Sequence, residues 1–347
     1  MILAGGARRR RPATAAIVRG IERFRIFILL GVVLLAAGSI SPHLLTTGNI
    51  RGLLNVASTN VLVAAGLTVV MIAGEIDLSV GSTLALTGMI AMVLEPLGVA
   101  VAVLAALAAG MGIGLVNGLL VSRLRISSIL VTIGTMIVVK GIALSVANGQ
   151  NVSGTDLQAS LAVQSPVLSV LSPTSIVAIV VVTAFQIILW QTVYGRTFYV
   201  IGGSEDRGRL SGISTDRYLV AAFLISGFAA ALAGSLLSLG LFTGSPYFGD
   251  STAFTVIAGV VVGGTSLLGA EGSVLRSTLG VLLLAIVANV FSISGVSTFI
   301  LSIVTGAVLL AVVLLDSYLG HRRRRDWGLR RITRHDERPA AGEPAPR

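Results

Sequence analysis

The sequence predicts an all-α polytopic membrane protein of about ten transmembrane helices. Three observations carry that class. The 347 residues are 54% hydrophobic and only 12% charged, with a mean hydropathy of +0.94. A soluble domain carries about 25% charged residues. Apolar runs long enough to cross the hydrocarbon core, about 20 residues each, recur along the chain. The charge is also sorted by position: +6 over residues 1–25, −1 over 26–320 and +5 over 321–347.

This composition excludes a soluble globular protein, a disordered chain and a disulfide scaffold. The chain has no Cys, so thiolate metal sites are excluded as well. The net charge of +10 would suit a nucleic-acid binder. Its placement points elsewhere, because only Phe24 and Trp327 stand among the Arg of the tails, too few for base stacking. Two basic tails around a neutral apolar body are the pattern of cytoplasmic ends beside an anionic leaflet. The chain therefore divides into a basic cytoplasmic tail (1–25), a membrane body (26–320) and a second basic tail (321–347). The Pro/Ala/Gly-rich end at 339–347 reads as disordered.

Ten spans are expected, at 26–41, 53–74, 80–95, 97–121, 127–147, 174–194, 218–241, 253–270, 273–292 and 297–316. The first follows basic residues as a signal peptide would. It lacks a small-x-small cleavage site before a soluble domain, and nine more spans follow it. The third and eighth are short and polar-edged, so tilted, broken or re-entrant forms are open to them. An even count puts both tails on one side. With the tails inside, the inner connections hold Arg123, Arg125, Arg196, Arg207, Arg209, Arg217 and, nearby, Arg276. The outer loops at 148–173 and 242–252 hold Asp156 and Asp250 but no Lys or Arg. The positive-inside rule is met along the chain. Arg51 is the ambiguous case, in an amphipathic stretch (46–51) suited to the outer interface. An echo at an offset of 172 residues matches Asn117 to Asn289, Ser122 to Ser294 and Gly134 to Gly306. The parity makes the fourth span run inward and the ninth outward, so the halves would form an inverted repeat.

Glycine is used where lipid makes close packing the main source of helix association. Gly110, Gly114 and Gly118 form a GxxxGxxxG stripe, and Gly259 and Gly263 repeat the spacing. Helix packing is the plainer reading and substrate contact the sharper one. The segment 73–82 sets two carboxylates, Glu75 and Asp77, between apolar runs with no long loop. Charge at membrane depth costs several kcal/mol unless it meets a cavity or partner, by most estimates ~3 or more. Asp77, Ser79 and Ser82 can cap the next helix, or line a polar pathway or its gate. Asn117 and Asn289 suit interhelical hydrogen bonds or pathway lining. Lys140, the only Lys, can snorkel to the outer interface. No glycine-rich loop precedes it, so the chain has no Walker A motif and no ATPase of its own. His43, His321 and His335 are scattered and suggest no metal site.

The longest inner loop spans 195–217. Ser204 can cap a short helix with Glu205 and Asp206 in its first turn, and Gly212 would end it. Leu210 and Ile213 would then be free to dock into a partner's groove. A plain interfacial loop is the alternative.

These residues resemble the permease subunit of a ribose-type sugar importer of the ATP-binding-cassette class. That superfamily also holds branched-chain amino acid permeases. Glu75-Ile76-Asp77-Leu78-Ser79-Val80-Gly81-Ser82 is similar to the family's Gly-Ile-Asp-Leu-Ser-Val-Gly-Ser. Asn117-Gly118-Leu119-Leu120-Val121 and Ile129–Thr135 resemble its next block. Gly195-Arg196, Ile201-Gly202-Gly203 and Arg209-Leu210-Ser211-Gly212-Ile213 match its cytoplasmic loop. Residues 262–269 and 272–274 match a late block. The chain departs from the pattern at Glu75, in place of glycine, and at Arg207-Gly208, in place of paired alanines.

The resemblance implies a ten-helix fold similar to the cobalamin-importer (type II) permeases, in a bacterial inner membrane. It implies two ATP-binding subunits inside, a solute-binding protein outside, and a second permease copy or paralogue. ATP would be used by the partner; this chain would bind no cofactor and do no catalysis. The loop helix, with Glu205 in its first turn, would couple to the ATPase. Two rival readings stand beside it. An ion-driven secondary transporter would use Glu75 and Asp77. An intramembrane enzyme lacks Cys, intramembrane His and facing catalytic Asp.

Overall fold

The computed structural model describes residues 26–314, apart from 36–37, 39–41, 298, 309 and 312–313. The expected basic tails lie outside the described residues. The helices are α1 (Ile26–Leu35), α2 (Thr47–Ile72), α3 (Val80–Leu94), α4 (Val99–Leu124), α5 (Ser128–Val146) and α6 (Leu157–Gln164). They continue with α7 (Pro173–Gln191), α8 (Val193–Gly203), α9 (Glu205–Leu210), α10 (Thr215–Leu241), α11 (Thr252–Val262), α12 (Val274–Ile293) and α13 (Phe299–Val308). Seven helices are long and apolar enough to cross a membrane, and α1, α11 and α13 are shorter apolar helices.

Local sequence sets the helix starts. Thr46, Ser172, Thr192, Ser204 and Ser273 each accept a hydrogen bond from the backbone N–H three residues on, opening α2, α7, α8, α9 and α12. Pro173 takes the first position of α7, where its missing N–H costs nothing. The expected span at 253–270 is helical only over Thr252–Val262. Gly263-Gly264 ends it, with Gly264 at φ +95°, and an irregular segment runs to α12. The third span is extended by a 3-10 turn at Glu95–Leu97, where Pro96 is tolerated.

α2 is buried on every side from Ala57 to Ile72, apart from Asn60, as a helix at the centre of a bundle must be. α10 packs against α2, α3 and α4. The α4 glycine stripe permits that approach. A Cβ on Gly118 would stand 2.7 Å from the Val220 Cα, and one on Gly110 would stand 2.5 Å from the Ala231 Cβ. α11 meets α12 in the same way, with Gly259 set against Val281 and Gly263 against Ser277. α4, α5 and α7 leave most of their apolar surface outward.

The helix pairing repeats. α3 begins at 80 and α11 at 252, an offset of 172. α10 contacts α3 and α4, while α2 contacts α11 and α12; α3 pairs with α4, and α11 with α12. Exchanging α2 with α10, α3 with α11 and α4 with α12 preserves the set. β1 (Val152–Ser153), after α5, and β2 (Thr243–Gly244), after α10, pair antiparallel and join those two connections.

Candidate functional site

Four polar features interrupt the apolar body. The first is a buried network around Asp77, in the connection between α2 and α3. Its Oδ1 accepts from the Ser79 backbone N–H at 3.0 Å and the Ser79 hydroxyl at 2.6 Å. Its Oδ2 accepts from the Ser226 hydroxyl on α10 at 2.7 Å. The Asn117 amide on α4 donates to the Ser79 Oγ at 2.9 Å, and the Thr135 hydroxyl on α5 donates to the Asn117 Oδ1 at 2.7 Å. Asp77, Ser79 and Asn117 are all at most 1% exposed. Burial without water demands such pairing, and here each hydroxyl finds an acceptor. Ser79 sits at the N-cap of α3 without a side-chain capping bond, and the Ser82 hydroxyl donates to the Ser79 carbonyl.

The second feature lies at the α8–α9 junction. Gly74 and Gly269, both at positive φ (+91° and +81°), meet Gly202 backbone to backbone. A Cβ on Gly269 would be 2.7 Å from the Gly74 Cα, and one on Gly202 would be 2.7 Å from the Ala270 nitrogen. The Ala270 N–H donates to the Ile72 carbonyl at 3.0 Å. Three connections therefore interlock: α2–α3, α11–α12 and the end of α8. Glu75 lies beside this junction. Burial holds its carboxyl above the usual carboxylate range, a hydrogen bond from Ser128 works against that, and Glu205 adds a smaller upward push.

The third feature is an ionic cluster on α9. The Arg125 guanidinium pairs with Glu205 and, at 2.7 Å, with Asp216. Arg209 reaches Glu205 at 3.1 Å and Asp216 at 2.9 Å, and its Nε donates to the Thr215 hydroxyl at 3.0 Å. α9 is thus clamped to the start of α10 and the end of α4. Gly208 faces Thr215 and Ile201, leaving room for that contact. Gly212, at φ +78°, turns the chain after Ser211. Leu210 is left 88% exposed, while Ile213 is half-buried. Gly195 packs on Ile188 and Leu189; Arg196 and Gly203 are exposed.

The fourth feature is a cavity of about 1020 Å³ between α2, α11, α12 and α13. Asn289 faces it and exchanges two hydrogen bonds with Asn49, at 2.9 and 3.0 Å. The structure therefore separates the two echoing amides. Asn117 is sealed in the core, and Asn289 borders open space.

A family model described as "Branched-chain amino acid transport system / permease component" matches residues 49–313. The chain belongs to this family.

The permease is 35% identical to the ribose import permease protein of Haemophilus influenzae over 306 residues, covering 86% of this chain and 94% of that one. It is 32% identical to an L-arabinose ABC transporter permease protein of Azospirillum brasilense, covering 86% and 88%. It is 34% identical to an autoinducer 2 import system permease protein of Yersinia enterocolitica, covering 81% and 78%. No solved structure matches it. Such relatives are transport subunits, and the permease is a multi-pass membrane protein.

Sequence reasoning missed several contacts in the permease. Lys140 does not snorkel freely. Its ammonium binds the Pro246 carbonyl at 2.7 Å and Asp250, and lies 4.6 Å from the Tyr247 ring centre. Glu95 is buried and accepts from the Thr155 hydroxyl at 3.1 Å and the Asp156 N–H at 3.3 Å. Lys140 ties the 242–251 loop to the body of α5, and Glu95 ties the 147–156 loop to the end of α3. A lone charge within or at the end of an apolar run is the signal that singles both out.

Proposed function

We propose that this permease is the membrane subunit of an ATP-driven importer for a sugar-like solute handed over by an external binding protein. The observation that carries the reading is α9. It is a short helix clamped by ion pairs on one side, with an apolar Leu210 left uncovered at its tip. A clamped lever with one free apolar residue suits a groove in a partner ATPase. The sequence has no Walker A loop, so hydrolysis falls to that partner. The relatives' names, which read ribose, L-arabinose and autoinducer 2, support a sugar or sugar-like solute.

Several finer points belong to the same reading. Counted with the seven long helices, the three short apolar ones would make ten spans; an even count would put both tails on one side, and the Arg of the connections on that side would make it the cytoplasm. The exchangeable helix pairing supports an inverted repeat of the type II kind. Two permeases, alike or paralogous, would enclose the solute route. The Asp77–Ser79–Asn117 network would hold the inner gate region together during rocking, and the glycine junction would relay the movement of α9 to α2 and α11. Two measurements test this. Tagged permease is purified from its host membrane and its partners identified; an ATP-binding subunit should co-purify and be lost with Leu210→Asp. Uptake of labelled D-ribose should require ATP and survive a protonophore. Retention of the ATPase by the variant overturns the coupling assignment. Uptake that collapses with the proton gradient favours an ion-driven carrier.

A further inference from the structure

The cavity between α2, α11, α12 and α13 holds polar groups at two depths. Asn49, Asn289, Ser251 and Ser292 lie at the end where α2 and α11 begin and α12 ends. That is the outer end if the tails are inside. Thr255 lies one turn below Ser251, and Asn60 lies deeper. Asn60 is at the middle of α2, eleven residues beyond Asn49 and so about 16 Å further in.

The two ends differ in how their polar groups are satisfied. Asn49 and Asn289 pair amide to amide, and Asn49 also donates to the Leu44 carbonyl. Elsewhere in the protein, Ser58, Thr68, Thr87 and Ser235 turn their hydroxyls back to a carbonyl one turn earlier on their own helix. The Asn60 amide and the Thr255 hydroxyl have no hydrogen-bond partner among the described residues. An unpaired amide at mid-span is costly in lipid. An Asn there is accounted for when the space before it takes a polar occupant. The cavity volume is that of a small-molecule site, with apolar walls and few polar groups.

We propose that this cavity is one permease's share of the outward-facing solute route, and that Asn60 and Thr255 hydrogen-bond the hydroxyls of a small polyol within it. The assignment rests on the proposed transport function. Asn49 and Asn289 form its rim. The apolar walls stack the solute's carbon face, and the amide and hydroxyl read its oxygen face.

The natural chain has no Cys, so single-cysteine variants report one position each. Asn60→Cys and Thr255→Cys are made in the complete importer in its host membrane. A charged, membrane-impermeant methanethiosulfonate is added from outside, with and without millimolar D-ribose or L-arabinose. Leu104→Cys, on the exposed face of α4, sets the background. Both cavity positions should label well above background, and a transported sugar should slow labelling several-fold. Asn60→Leu should lower uptake at limiting sugar about tenfold, the loss expected for one hydrogen bond. Labelling only by a lipid-soluble maleimide would mean that lipid or a second permease fills the space, and would overturn the proposal. So would sugar uptake by the wild type with no protection at either position, or with Asn60→Leu unimpaired. Failure of the wild type to take up either sugar overturns the functional reading instead, while the labelling still decides whether the cavity is a water-filled route.

Discussion

The Asn117 side-chain amide donates to the Ser79 hydroxyl oxygen at 2.9 Å, and that same hydroxyl donates to Asp77 at 2.6 Å. The bond joins α4 to the start of α3 between two buried side chains. Removing Asn117 leaves Thr135 without its amide acceptor and Ser79 without its donor. Asn117→Ala is expected to cost about 2–3 kcal/mol, because buried polar groups are left unpaired. A thermal melt in detergent should show a drop of several degrees. Ser226→Ala should cost less, since Asp77 keeps its two bonds to Ser79. Equal melts for Asn117→Ala and the wild type would remove the network from the account.

The glycine junction makes a sharper prediction. A methyl group on Gly202 would press on the Ile72 carbonyl and the Ala270 nitrogen, which are backbone and cannot rotate away. Gly202→Ala should therefore lower stability and reduce transport more than ATP hydrolysis, by separating α8 from α2. Gly203→Ala, where the nearest atom is a side-chain carbon at 3.5 Å, should be close to neutral. Comparing the ratio of transport to hydrolysis in the two variants checks this.

The α9 clamp is half-exposed, so each ion pair is worth less than about 1 kcal/mol and is weakened by salt. Arg125→Ala should lower the ATPase co-purified with the permease modestly and make it more salt-sensitive. Leu210→Asp should abolish co-purification with little change in melting temperature, because Leu210 touches solvent rather than the fold. Loss of folding in Leu210→Asp would contradict its free placement.

Glu75 gives a pH dependence. Its pKa is raised chiefly by burial. The folded state therefore holds its proton more tightly than the unfolded chain does. The stabilising contribution is complete below the ordinary carboxylate pKa and is lost as pH rises through the folded value. Above the folded value the buried ionised group is a burden. Glu75→Gln should melt higher than the wild type at pH 7, and the gap should narrow as the pH falls. A constant gap across pH would place the effect in packing.

Much of this arrangement is legible in the sequence. Apolar runs and Arg placement located the helices, because lipid leaves few ways to satisfy a backbone. Ser204, Glu205 and Gly212 marked α9, because capping and turn chemistry are local. The limits are equally physical. Gly263-Gly264 stops α11 early, yet the apolar pattern runs through it. Asp77 is bonded by Ser226 from α10, and its partner Ser79 by Asn117 from α4; no local pattern announces a contact 149 residues away in sequence. Lys140 and Asp250 were each visible, but their pairing depends on the fold of the 242–251 loop. Nothing in the local sequence of α2 singles out Asn60; it draws notice only because a cavity lies beside it.

The central claim is that this permease carries a sugar-like solute on energy supplied by a partner ATPase. It is tested most directly in proteoliposomes holding the purified permease with its co-purified ATPase and its binding protein. Labelled D-ribose and L-arabinose are supplied on the binding-protein side, and ATP on the ATPase side. The account predicts accumulation of at least one sugar that needs both ATP and binding protein and is indifferent to proton and sodium gradients. Accumulation driven by either gradient without ATP, or none with all components present, would contradict it.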